Sequence, residues 1–222
     1  KLPTSRGILI TGPPGTGKTL CCETIMNQLD CTSIYVTSDS VEKPGDIKEV
    51  YALARKLSPT VVVIEDIDTL GGLDRRDRGN HPLLGEFLNC LNGVGNNNGV
   101  ITIATTNYPN NLDLALSDRP GRIDLKVEFG LPDKDLREHI MKKYLKDLPS
   151  KNIDYEKMAK KTEGLSGAYL REIVMLAYMI ANEKDSKINN DILIESYANV
   201  MEMKEQVNKY NGIVKPTNNY YN

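Results

Sequence analysis

The run "GPPGTGKT", Gly12 to Thr19, follows directly on the apolar stretch "GILI". Three glycines and two prolines in eight residues make a poor helix and a poor strand. The spacing fits G-x-x-x-x-G-K-[ST] at Gly12, Gly17, Lys18 and Thr19. In such a loop the glycines let main-chain N–H groups curl inward around an anion. The helix that opens near Lys18 adds its partly positive N-terminus at the same point. Lys18 then reaches the β- and γ-phosphates of a bound nucleotide, and the Thr19 hydroxyl serves as a magnesium ligand. Glycine-rich turns join many strands to helices, but this one stands between a predicted strand and a predicted helix, the setting the signature requires. A chain with this run is committed to strand, loop and helix in that order.

The surrounding pattern agrees. "GILIT" (7–11), "SIYVT" (33–37), "TVVVIE" (60–65), "VITIATT" (100–106) and "DLKVEF" (124–129) read as strands, several apolar at consecutive positions as in a sheet covered on both faces. Helical patterns lie between them at 18–28, 46–57, 83–91 and 112–117, so the first 130 residues alternate as βαβ units of an open α/β sheet. After "GLPD" the strands stop, and helical patterns follow at 134–146, 155–161, 167–182 and 190–203. In the third of these, Leu170, Ile173, Val174, Ala177 and Ile180 share one face, which predicts a core-facing stripe. The expected division is an α/β core over 1–131, a small helical domain over 132–205 and a loose polar tail over 206–222.

Composition narrows the function classes. Of 222 residues, 40% are hydrophobic and 26% charged, ordinary values for a chain with a real core. A net charge of −2 and the lack of stacking aromatics near the basic run "RRDR" (75–78) argue against a nucleic-acid motor. Cys21, Cys22, Cys31 and Cys90 show neither CxxC spacing nor a nearby histidine pair, which points to reduced thiols and a cytoplasmic location. No apolar run approaches membrane-spanning length and no signal peptide precedes the first strand; the abrupt start at Lys1 reads as a fragment of a longer protein.

Three further elements belong with the glycine loop. "VVVIEDID" (61–68) brings Glu65 and Asp66 to the carboxyl end of an apolar strand, the edge where ligands gather in open α/β sheets. "ATTN" (104–107) ends another strand in Asn107, an amide suited to orienting water against a γ-phosphate, although Asn also opens many turns. "DRPGRID" (118–124) sets Arg119 and Arg122 on a stiff loop, where guanidinium groups suit phosphate recognition.

Together these motifs resemble the AAA family of ATPases, within the wider AAA+ group. The likeness covers nearly the whole chain: Walker A "GPPGTGKT", Walker B "VVVIEDID", sensor 1 at Asn107, the second region of homology "TTNYPNNLDLALSDRPGRID" and a lid segment "GLSGAYLRE". It implies a P-loop NTPase core with a parallel five-stranded sheet in the order 5-1-4-3-2, a C-terminal helical lid and a homo-oligomeric, usually hexameric ring acting on a protein partner. ATP with Mg2+ would be held by Gly12, Pro13, Pro14, Gly15, Thr16, Gly17, Lys18, Thr19 and Leu20, with Thr19 and Glu65 on the metal side. Gly167 and Ala168 match the family's lid contact. Tyr144 falls where members often set a side chain against the base, though a tyrosine on a lid helix commonly belongs to the core. Arg119 and Arg122 would be arginine fingers entering the neighbouring subunit's site.

The departures are specific. Members usually end Walker B in Asp-Glu, whereas Glu65-Asp66 stands here, as in the branch resembling the mitochondrial Rieske-protein translocase. By position Glu65 would hold the magnesium-water shell and Asp66 would polarise the nucleophilic water. The usual aromatic-aliphatic-glycine pore triplet is replaced by "SDSVEKPGD" (38–46), so Val41, Glu42 and Lys43 would face a channel. One extra residue separates "LDLAL" from "RPGR". The leading expectation is an ATP-hydrolysing mechanoenzyme; a nucleotide-gated scaffold with little hydrolysis is the alternative, and a small-molecule kinase ranks last.

Overall fold

Five parallel strands, the central three with apolar side chains on both faces, set the plan of the first unit. The computed structural model describes residues 6–37, 40–70, 82–91, 97–109 and 123–210, in two compact units, Lys1–Gly130 and Leu131–Asn222. Strands β1 (Arg6–Thr11), β2 (Thr32–Val36), β3 (Thr60–Ile64), β4 (Val100–Thr106) and β5 (Leu125–Glu128) form one sheet in the order β2-β3-β4-β1-β5. This is the order 5-1-4-3-2 seen from the other edge, and every pairing is parallel. Helices α1 (Lys18–Gln28), α2 (Pro44–Lys56) and α3 (Pro82–Leu91) accompany it.

Strand periodicity sends successive residues of β3 to opposite layers. Val61 and Val63 join Ile10, Ile103 and Cys22, with Ile25 and Met26 of α1 against them. Val62 and Ile64 join Leu9 and Ala104 beneath Ile47 and Tyr51 of α2 and Phe87 of α3. All five β3 residues are buried, each apolar one contributing roughly 1.5–3 kcal/mol by the usual transfer scale. On β2, Ile34 and Val36 belong to the α2/α3 layer, which leaves Tyr35 on the α1 side.

Before α2 the chain departs from expectation. The Asp46 carboxylate accepts the N–H groups of Glu42 and Lys43 at 3.0 Å each, while Pro44 opens the helix. Val41 does not stand with Glu42 and Lys43 facing outward: it is 4% exposed and part of the α2/α3 core. An aliphatic side chain next to a sheet gains more from that layer than from solvent.

The second unit holds α4 (Lys134–Leu145), α5 (Tyr155–Lys161), α6 (Gly167–Glu183) and α7 (Asn190–Tyr210). Asp133 and Asp154 cap α4 and α5 by accepting the N–H groups of Leu136 and Lys157. Leu170, Ile173, Val174, Ala177 and Ile180 are all buried, as their spacing predicts. Helix α7 continues through 206–210, where the sequence pattern predicts a loose tail. The stretch from Glu202 to Gln206 is rich in good helix formers and has no glycine or proline to end it. Residues 211–222, the expected helix at 112–117 and the basic run at 75–78 lie outside the described residues. Among the described residues, no helix is long and apolar enough to cross a membrane.

Candidate active site at the strand ends

Backbone geometry shapes the loop after β1. Gly12 has φ 143°, and a Cβ there would stand 2.1 Å from the carbonyl oxygen of Phe129, so no side chain fits. Gly17 has φ 102° at the N-cap of α1 and supplies no side-chain cap, leaving the first N–H groups of the helix for another acceptor. Thr16 closes the turn by donating its hydroxyl to Pro13 O at 2.9 Å. Pro13, Pro14, Gly15, Thr19 and Leu20 are exposed.

Lys18 is the opposite, only 6% exposed. Its ammonium donates to Gly12 O at 2.8 Å, Pro13 O at 2.9 Å and Asn107 Oδ1 at 2.7 Å. A lysine has three such donors, and all are engaged. Burial lowers its proton affinity, while the charges of Asp66, Asp68 and Glu65 pull the other way.

The ends of β3 and β4 bring the acids. Glu65 extends the β2–β3 ladder by donating its N–H to Val36 O at 3.0 Å. At Asp66 the chain swings into the left-handed region, φ 46°, and donates its N–H to the Thr105 hydroxyl at 3.0 Å. An aspartate in that region is uncommon but tolerated, and here it aims the carboxylate at β4. Asn107 Nδ2 donates to Asp66 Oδ1 at 3.0 Å. Asp68 accepts from the Thr106 hydroxyl at 2.6 Å and from Asn107 N at 3.3 Å, fixing the end of β4. Burial, then the neighbouring charges of Asp68 and Glu65, push the Asp66 carboxyl above its ordinary range.

The structure thus gathers Gly12, Lys18, Glu65, Asp66 and Asn107 at the carboxyl ends of β1, β3 and β4. Asn107 bridges cation and acid. Glu65 Oε1 is buried without a hydrogen-bond partner, an orphan of the kind a bound ion or its water satisfies. That orphan, the uncapped helix and the side-chain-free cradle at Gly12 together fit a polyphosphate with a divalent cation. Arg119 and Arg122 lie outside the described residues. In the second unit Tyr144 is half-buried against the helical core, and Gly167 and Ala168 open α6 behind Ser166, whose buried hydroxyl has no partner.

Two participants escaped the sequence reading. Asp68 was visible within "EDID", but its role depends on how the chain turns after Asp66. Tyr35, whose hydroxyl donates to Glu65 Oε2, depends on the register of β2 against β3.

The family model described as "ATPase family associated with various cellular activities (AAA)" matches residues 8–131, more than half of the chain. The chain belongs to the AAA family. Membership places it among ATP-hydrolysing domains of the P-loop NTPase type. The chain is 37% identical over 204 residues to the probable 26S proteasome regulatory subunit 10B of Caenorhabditis elegans, covering 85% of this chain and 50% of that protein. Against the proteasome-activating nucleotidase of Methanopyrus kandleri identity is 34% over 214 residues, 90% of this chain and 49% of the relative. Against the ATP-dependent zinc metalloprotease FtsH of Mycoplasmopsis synoviae it is 34% over 200 residues, 83% and 29%. The chain therefore spans about half the length of the proteasomal relatives it matches and less of the metalloprotease.

Proposed function

We propose that this AAA domain binds ATP with magnesium at the ends of β1, β3 and β4, hydrolyses it, and acts in a homo-oligomeric ring, six-membered by family likeness, that remodels a protein partner. The observation that carries the reading is Asn107, which accepts from Lys18 at 2.7 Å and donates to Asp66 at 3.0 Å. One amide links the phosphate-side cation to the water-side acid. When bound, ATP with magnesium supplies a scissile phosphoanhydride whose charge the metal helps to offset.

The rest is done by the chain. The loop from Gly12 to Leu20 cradles phosphate with main-chain N–H groups and the start of α1. Lys18 exchanges one of its loop or Asn107 acceptors for a phosphate oxygen. Thr19 and Glu65 hold the ion; among the described residues no three His, Cys, Asp or Glu side chains form a metal-holding group, and magnesium commonly needs only one or two protein ligands beside phosphate. Asp66, its proton affinity raised, takes the proton of the attacking water while Asn107 orients both.

Arg119 and Arg122 rest on the likeness to the family: supplied to a neighbour, such a finger is worth ~10³ to 10⁵ in rate. Gly167, Ala168 and Tyr144 rest on the same likeness and carry no part of this reading. The names of the relatives tie them to proteasomes and proteolysis, which supports a protein as the partner. Four free thiols support a reducing, cytoplasmic setting.

Steady-state ATP hydrolysis across a range of protein concentrations tests the reading. Turnover per subunit is expected to rise with concentration, and Arg119→Ala chains mixed with the wild type are expected to depress it more than in proportion. An assembled protein without turnover identifies the nucleotide-gated scaffold instead.

A further inference from the structure

Tyr35 is a poor candidate for a core residue. It sits on β2, an edge strand, and is 41% exposed. Register explains what it touches. Tyr35 pairs with Val63, and Glu65 lies two residues further along the chain, just past the end of β3, on the face that α1 covers. The phenol crosses that diagonal and donates to Glu65 Oε2. Among the described residues it is the only donor recorded on the Glu65 carboxylate, and the other oxygen, Oε1, is the buried orphan.

A glutamate side chain rotates freely about its last bond, and its two oxygens are equivalent until something distinguishes them. A single hydroxyl on Oε2 makes that distinction. Glutamate is also one methylene longer than aspartate, so a Glu at this position has an extra torsion to restrain. We infer that Tyr35 is a positioning residue: its hydroxyl anchors Oε2 of Glu65 so that Oε1 alone is presented to the divalent ion. The inference rests on the reading of Glu65 as the metal-side carboxylate. Tyr35 touches neither nucleotide nor ion and acts through Glu65. Preorganisation of this kind lowers the cost of ordering a ligand at the moment it is used.

The test separates the two claims. ADP is titrated calorimetrically into the chain at increasing MgCl2, alongside thermal melts, for wild type, Tyr35→Phe, Glu65→Gln, Glu65→Asp and the double variant Tyr35→Phe/Glu65→Asp. Tyr35→Phe keeps the ring and removes one oxygen. It is expected to leave metal-free ADP affinity and the melting temperature unchanged while raising the MgCl2 needed for half-maximal tightening roughly tenfold, the scale of one hydrogen bond to a charged group. With Glu65→Asp, whose shorter side chain falls short of the phenol, adding Tyr35→Phe is expected to change nothing more. If Glu65→Gln loses the magnesium effect but Tyr35→Phe keeps it, or if Tyr35→Phe shifts the magnesium response equally with Asp at 65, the positioning role is overturned and the Glu65 reading stands. If Glu65→Gln keeps the full magnesium effect, the reading of Glu65 itself falls.

Discussion

Two buried cations, one in each unit, show how the same physical requirement serves different ends. Lys18 in the α/β unit and Arg137 in the helical unit are each 6% exposed. Both satisfy the rule that a buried charge needs partners. Among the described residues Arg137 finds them in main-chain carbonyls, donating to Ala159 O at 3.0 Å and Pro132 O at 2.7 Å. Those bonds tie α4 to the end of α5 and to the segment that precedes α4. Lys18 instead faces two loop carbonyls, an exchangeable side-chain amide and three acids. Around it gather a left-handed aspartate and an orphaned carboxylate oxygen. The partners of Arg137 fasten one segment to another; those of Lys18, beside an orphaned carboxylate oxygen, mark a place where a ligand completes the set.

That contrast can be broken by substitution. Asp66→Asn keeps shape and the amide contact but removes the base, so turnover is expected to fall by about 10² to 10⁴ with nucleotide binding intact, read by steady-state hydrolysis and calorimetry. Unchanged turnover would move the proton-accepting role to Glu65. Lys18→Ala should abolish the thermal stabilisation that ATP gives the wild-type chain, a shift that scales with the ratio of ligand to Kd. Arg137→Met is the mirror experiment. Chemical denaturation should show a loss of about 2 kcal/mol, because two charge-assisted bonds go and two buried carbonyls lose their donor, yet ATP affinity measured well below the melt should hold. If both variants damaged stability and binding alike, the division between fastening and functional cations would fail.

The smallest effect belongs to the surface of the helical unit. Lys134 and Lys160 hold the exposed Glu156 carboxyl at about 2, below its ordinary 4.5. A carboxyl whose folded value is depressed adds stability that is present above the unfolded value and lost as pH falls toward the folded one. Glu156→Gln should therefore cost a little stability at neutral pH, and the difference from wild type should vanish between about 4.5 and about 2 in pH-dependent melts.

Much of this was legible in the residues. Consecutive apolar positions located the strands, and the glycine spacing located the loop. The i, i+3, i+4 pattern from Leu170 to Ile180 located a buried helix face. Strand order came through the family likeness, since periodicity within a strand carries no record of its neighbours. What stayed hidden depends on register and backbone turns. Tyr35 reaches Glu65 because of a two-residue diagonal across β2 and β3, and Asp68 reaches Thr106 because Asp66 turns left-handed. Val41 reads as a channel residue by its two charged neighbours, and only the sheet layer that buries it shows otherwise.

The central claim is that main-chain N–H groups, Lys18 and the acids at the strand ends close on the polyphosphate of a nucleotide with its divalent ion. Isothermal titration of the chain with ATP in magnesium buffer, repeated with Lys18→Ala, tests this most directly. A saturable heat with one site per chain, lost in the variant, is the predicted result. No heat in the wild type, or the same heat in both, would contradict it.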